Sequence, residues 1–364
     1  MLTRRHFSKL AAGAGVTAFS TPDNDAFAQD STFSMPDEAQ PHTRTFMQWP
    51  VNKEVHPDPV FLDMLQRSIA DVANTISEFE PVVMLMAVGY RGSAREKLSG
   101  KVDIWDLPTD DLWCRDSGPV IVTDGAGTLA VSNLNFNGWG NKQTHNSDRA
   151  VAPRVAKRMG LREINVGIVG EAGGVESDGA GTLIAHESSW VNANRNKGSK
   201  AEIEKMLLAA LGAEKIIWAP GVAGEDITDY HIDALARFSA PGHIVIQLPE
   251  KPDPRDPWSV AAFETYEILR DATDAQGRSF TFSIIPEPYD TRIIASDFVA
   301  SYVNYYVCNG AVIAAQFGDH DTDQEAKRLL EERYPNREIV MLNVDPIGEV
   351  GGGIHCATQQ QPAV

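Results

Sequence analysis

The chain has 364 residues, 43% of them hydrophobic, which is enough for a full core in one large domain or two to three smaller ones. Its formal net charge of −18 repels a phosphate backbone, which argues against nucleic-acid binding and weakly favours a cationic substrate. Three cysteines (Cys114, Cys308 and Cys356) are too few for a disulfide scaffold, and their odd number leaves at least one free thiol.

Residues 1–28 read as a targeting segment outside the fold. Arg4 and Arg5 precede Phe7 and Lys9, a mildly apolar stretch follows, and Ala26 and Ala28 offer a small-residue cleavage site. This pattern resembles a twin-arginine export signal. The expected location is therefore periplasmic or secreted, with residues 29–364 as a single catalytic domain that crosses the membrane folded. No later stretch has about 18 consecutive apolar residues, so no membrane anchoring is expected once the signal is removed.

Along the rest of the chain, apolar residues at helical spacing predict helices over 58–79, 147–159, 200–211, 257–272 and 321–333, with Ser199 as N-cap of the third. Short apolar runs between them read as strands at 82–88, 119–123, 128–136, 215–220, 243–249, 280–286, 311–317 and 338–344. The alternation indicates an α/β fold built from about five similar units. A doubly wound sheet is the alternative, but no phosphate-binding glycine fingerprint supports it, since Gly351–Gly353 precede a strand-like segment and not a helix.

Four segments carry reactive side chains. In "DDLWCRDSGPV", Trp113 and Asp116 offer an aromatic face and a carboxylate, the pair a planar cation needs; ordinary surface ion pairing is the plainer reading. In "EAGGVESDGAGT", Glu171 precedes two glycines, a density that implies positive φ or close approach. In "ITDYHIDALARF", His231 and Asp233 would share one face of a strand; metal ligation, or capping of a helix-like "DALARF", are the competing readings. In "EVGGGIHCATQQQP", Cys356 is the candidate nucleophile. Its neighbour His355 points to the opposite face in extended chain, so His231 is the better candidate for the base.

Together these segments resemble the agmatine deiminase family of guanidine-modifying enzymes, from "MPDEAQPHTRTFMQWP" through "DLWCRDSGPV", "NFNGWGNK", "HIDALARF" and "SYVNYYVCNG" to the cysteine tail. Secreted bacterial peptidylarginine deiminases share the pattern. The resemblance implies a five-bladed α/β propeller (the pentein fold) of pseudo-fivefold ββαβ-type repeats around a central site. It implies a hydrolytic deiminase with no cofactor and no metal, acting on agmatine to give N-carbamoylputrescine and ammonia. By motif position Cys356 is the nucleophile, His231 the general acid and base, Glu171 its orienting partner, and Asp116 and Asp233 the guanidinium holders. Trp113 and Asn304 would add substrate contacts, and the family suggests a homodimer. Alternatives are a peptidylarginine deiminase, a non-catalytic guanidinium-binding protein, and a metallohydrolase using His231 and Asp233. Free arginine would need a carboxylate clamp, for which Arg115 and Arg195 are the candidates. Tyr230, Ala172 and Trp190 depart from the family pattern, at what the sequence suggests is the pocket edge.

Overall fold

The computed structural model describes residues 33–295 and 297–364, so the signal segment 1–28 lies outside the described residues. One unit recurs through the chain: two antiparallel strands, a helix, then a third strand parallel to the second. The first unit runs β1 (His42–Gln48), α1 (Pro59–Ile76) and β2 (Val82–Met86), extended by β3 (Val102–Asp106). The second is β4 (Val120–Thr123), β5 (Leu129–Ser132), α2 (Val151–Met159) and β6 (Arg162–Ile164). The third is β7 (Val175–Ser177), β8 (Thr182–His186), α3 (Lys200–Leu211) and β9 (Lys215–Ala219). The fourth is β10 (Ala236–Ala240), β11 (His243–Leu248), α4 (Pro257–Asp271) and β12 (Thr281–Pro286). The fifth is β13 (Tyr306–Cys308), β14 (Ala311–Ala315), α5 (His320–Arg333) and β15 (Glu338–Leu342).

Five separate sheets result, one per unit. The first unit has no leading strand of its own in sequence. It is supplied by β16 (Thr358–Pro362), which pairs antiparallel with β1 so that the sheet reads β16-β1-β2-β3. The chain thereby closes on itself as a five-bladed α/β propeller.

All five predicted helices form, and their ends follow local chemistry. Asp58 caps α1 by accepting from the Val60 N–H, with Pro59 in the first turn, where no N–H is needed. Ser199 and Glu202 form a reciprocal capping box on α3, and Gly212 ends it in the left-handed region. Two expectations need correction. "DALARF" is not helical: a short 3₁₀ turn, Ile232–Ala234, runs directly into β10. The strand expected over 128–136 stops at Ser132, because Asn135 takes a positive φ of 51°.

This repeat places the chemistry. In every unit the residues just before the leading strand form a tight turn: Cys114–Ser117 before β4, Ala172–Gly174 before β7, Ile232–Ala234 before β10, 301–304 before β13 and 354–357 before β16. The first of these turns touches the second and β16, and the second touches the third.

Candidate active site

Each turn contributes one or two of the residues singled out in the sequence: Asp116, Glu171, His231 with Asp233, Asn304 and Cys356. The His231–Asp233 pair does not lie on a strand. His231 is extended and Asp233 sits inside the 3₁₀ turn, yet both side chains converge on Gly173 of the neighbouring turn. Gly173 has no Cβ to fill the space between His231, Asp116 and Asp233, and its N–H donates to Asp116 Oδ1 at 3.3 Å.

His231 is buried with a carboxylate at each ring nitrogen: Nε2 is 3.2 Å from Glu171 Oε2, and Nδ1 is 3.6 Å from Asp116 Oδ1. Burial works against its charge, but Asp116 and the bond to Glu171 prevail and raise it to about 9. Glu171 is held in turn by Arg195, whose Nε donates to both carboxylate oxygens at 2.9 Å. Arg195 also reaches Asp229 Oδ2 at 2.7 Å and the Thr228 carbonyl at 3.0 Å, and its side chain is fully buried. It therefore orients Glu171 and is not free to clamp a substrate carboxylate. Arg115 is equally committed, to Glu38 at 3.0 Å and Gln360 at 2.8 Å.

The two acids differ in environment. Asp116 is raised to about 6, by burial first and by the nearby charges of Glu171 and Asp233, partly offset by His231 and by a hydrogen bond from Trp139. Asp233 is also buried, which raises it most, yet His355, His231 and Arg237 together hold it below its ordinary value. Its Oδ2 accepts from His355 Nδ1 at 2.7 Å, while its Oδ1 is buried with no hydrogen-bond partner.

His355, the neighbour of Cys356 that the sequence set aside as base, is held between two carboxylates. Its Nδ1 is 2.7 Å from Asp233 Oδ2 and its Nε2 2.8 Å from Glu38 Oε2. The opposite-face arrangement expected of extended chain is not found, because Cys356 lies in a turn. Beneath the site Glu38 also pairs with Arg237 at 3.1 Å, and Arg237 with Glu176 at 2.9 Å. Counted with Arg115 and Asp233, three carboxylates and two guanidinium groups share one buried cluster with His355.

Cys356 Sγ is the partly exposed member of the three free thiols. It lies 3.5 Å from Asp233 Oδ2 and accepts from Asn304 Nδ2 at 3.2 Å. Asn304 Oδ1 also accepts from the Cys356 N–H at 3.3 Å, so Asn304 braces the cysteine on both sides instead of reserving itself for substrate. Gly353 allows this approach, since a Cβ there would sit 2.4 Å from Asn304 Oδ1. Burial, then Asp233 and Asp116, push the Cys356 thiol well above its ordinary value. The other two cysteines are buried and likewise raised, Cys114 within the turn that carries Asp116. Trp113 packs its ring against Gly352, in the same cluster as Cys356.

One departure noted in the sequence is not at a pocket edge. Trp190 is buried behind the Glu171 turn and donates to the Gly174 carbonyl at 2.7 Å. Tyr230 is half-buried, stacked on His186 and meeting Trp258 edge-on.

A sequence model of the Porphyromonas-type peptidyl-arginine deiminase family matches residues 34–362. The chain belongs to this family. An agmatine deiminase of Pseudomonas fluorescens is 34% identical, over 95% of this chain and 98% of its own. The agmatine deiminase of Enterococcus faecalis superposes with a TM-score of 0.83 at 27% identity, covering 92% of this chain and 97% of that one. A C. jejuni agmatine deiminase shares the fold, with a TM-score of 0.79 over 90% and 96% of the two chains at 24% identity. The family accounts for the pseudo-fivefold α/β architecture. It does not by itself explain why Trp139, Arg195 and His355 press so closely on the site; the sequence raised Arg195 only as a candidate carboxylate clamp, set His355 aside as a base, and left Trp139 without a role.

Proposed function

We propose that the protein is a cysteine-dependent hydrolytic deiminase that converts agmatine and water to N-carbamoylputrescine and ammonia. The observation that carries this reading is the orphaned Asp233 Oδ1, a buried carboxylate oxygen without a donor beside the Cys356 thiol. A buried acceptor of this kind calls for a donor from outside, and a guanidinium supplies several in one plane. Asp116 across the Gly173 gap gives the second carboxylate.

The bound cation offsets the two carboxylates that hold the Cys356 thiol up, so the nucleophile ionises with substrate in place. The thiolate attacks the central guanidinium carbon, and the C–N bond breaks as protonated His231 gives its proton to the departing ammonia. The S-alkylthiouronium that remains is attacked by water, from which neutral His231 removes a proton. Collapse leaves the ureido product and restores the thiol and imidazolium. Glu171, fixed by Arg195, stabilises the charged imidazole through this cycle.

The relatives support agmatine, and the commitment of Arg115 and Arg195 to buried acids argues against free arginine. The family description favours peptidyl-arginine as the second reading. Ammonia release measured on agmatine, arginine, N-acetylarginine amide and an arginyl peptide separates them; agmatine is expected to lead, and preference for the peptide would overturn the substrate. Cys356→Ala should abolish ammonia release while agmatine still binds, and retained turnover would sink the mechanism. The export signal read in residues 1–28 supports a periplasmic site of action. Replacing Arg4 and Arg5 by lysine should hold the protein in the cytoplasm on fractionation; unchanged periplasmic recovery would refute it.

A further inference from the structure

The segment between Asn137 and Lys142 has no assigned part in the reaction, yet its backbone is unusual. Gly138, Trp139, Gly140 and Asn141 have φ of 68°, 54°, 84° and 62°, a left-handed turn of four consecutive residues. Two of them carry a Cβ, which disfavours this region. The turn is held from both ends. Asn137 Oδ1 accepts from the Gly140 N–H at 2.7 Å, and Asn137 Nδ2 donates to the Asn194 carbonyl at 3.0 Å. Lys142 Nζ donates to Asp229 Oδ2 at 2.8 Å and to the carbonyls of Ile227 and Asp226 at 3.1 and 3.2 Å, on the loop that leads to His231. Strain that the surroundings over-determine is a pointer to function.

What the turn achieves is the aim of one ring. Trp139 is 2% exposed, meets Phe136 edge-on, and its single polar atom donates to Asp116 Oδ2 at 2.9 Å. That bond occupies one oxygen of the acid and leaves Oδ1 on the side of Gly173 and His231.

We propose that Trp139 is a positioning residue of the reaction, whose indole N–H fixes the Asp116 carboxylate in the orientation and ionised state that receive the guanidinium. This rests on the reading that Asp116 holds substrate. The charged and titratable groups facing Asp116 are His231, Glu171 and Asp233, with the Cys356 thiol beyond; apart from His231, these resist a further negative charge. The neutral donors from Trp139 and Gly173 are what stand beside His231 on the favourable side.

The test is Trp139→Phe, assayed for ammonia release from agmatine between pH 5 and 10. A hydrogen bond to a charged group is lost, so kcat/KM near neutral pH should fall roughly ten- to hundred-fold, mainly through KM. Asp116 should then titrate higher, so the acidic limb of kcat/KM moves up in pH and the deficit narrows in alkali. Wild-type KM and an unmoved acidic limb in a folded Trp139→Phe protein would overturn the proposal. If that variant does not fold, benzothienylalanine at position 139 keeps the ring shape, lacks the N–H, and decides by the same two readouts. Asp116→Asn in the Cys356→Ala background separates the layers. Unchanged agmatine affinity there would overturn the reading of Asp116 itself. Lost affinity there, with wild-type behaviour on removal of the indole N–H, overturns the role of Trp139 alone.

Discussion

Substituting alanine for Gly173 tests whether the gap between His231, Asp116 and Asp233 is the guanidinium slot. A Cβ on Gly173 would lie 2.7 Å from His231 Nδ1, 2.8 Å from Asp116 Oδ1 and 3.2 Å from Asp233 Oδ2. To regain ordinary contact at 3.4 Å, the first two groups must retreat by about 0.7 and 0.6 Å. None has room to yield freely, because His231 is backed by Glu171, Asp116 by Trp139 and Asp233 by His355. Misplacing a reacting group by about 1 Å costs on the order of 100-fold in rate, so kcat/KM for ammonia release should drop about 100-fold or more. The φ of Gly173 is not positive, so alanine adds no backbone strain, and overpacking should destabilise by only about 1–3 kcal/mol. The assay is steady-state ammonia release, with thermal unfolding to establish that the variant is folded and calorimetry for binding in the Cys356→Ala background. A folded Gly173→Ala enzyme with wild-type kcat/KM would show that the slot lies elsewhere.

Other consequences are as direct. Asp116 near 6 and His231 near 9 should give a bell-shaped kcat/KM. Below about pH 6 Asp116 takes up a proton and loses its hold on the cation, and above about pH 9 His231 has no proton for the leaving ammonia; a profile without the upper limb would remove His231 as the acid. Ser199→Ala dismantles the capping box of α3 and should cost about 1 kcal/mol. That corresponds to a Tm lower by roughly 2 °C. With kcat unchanged it serves as a stability control; a matching fall in kcat would show that α3 reaches the site.

The helices were legible because each buries one periodic apolar face, as in Leu65, Ile69, Val72 and Ile76 of α1. Eight strands were legible as short apolar runs: β2, β4, β5, β9, β11, β12, β14 and β15. Strands β3, β6, β7, β8, β10 and β13 were not read from the sequence, nor were β1 and β16, whose buried residues include Thr45, Gln48, Gln359 and Gln360. These polar side chains find partners only in the folded ring: Gln48 at Asp148 and Ser117, Gln359 at the Pro119 carbonyl, Gln360 at Arg115. The same applies within the site. Cys356, His231, Glu171, Asp116 and Asp233 stand out by chemistry and family motif. Arg195 and His355 look like ordinary polar residues until tertiary contact reveals the acids they hold. Trp139 left a weak signal, for glycine and asparagine crowded around a tryptophan in "FNGWGN" suggest left-handed backbone.

The closure of the ring by β16 has a consequence for how the protein is made. A ribosome delivers β1 early and its partner β16 after the other fifteen strands, with Cys356 just ahead of it. Four turns of the site can be complete on a growing chain while the fifth, with the thiol, is still to be synthesised. Pairing β16 with β1 bridges more than 300 residues of sequence, and it also seats the thiol proposed as nucleophile. Quality control is thus written into chain order: an unfinished or unclosed chain can present the carboxylates but lacks Cys356, the thiol proposed as nucleophile, beside them.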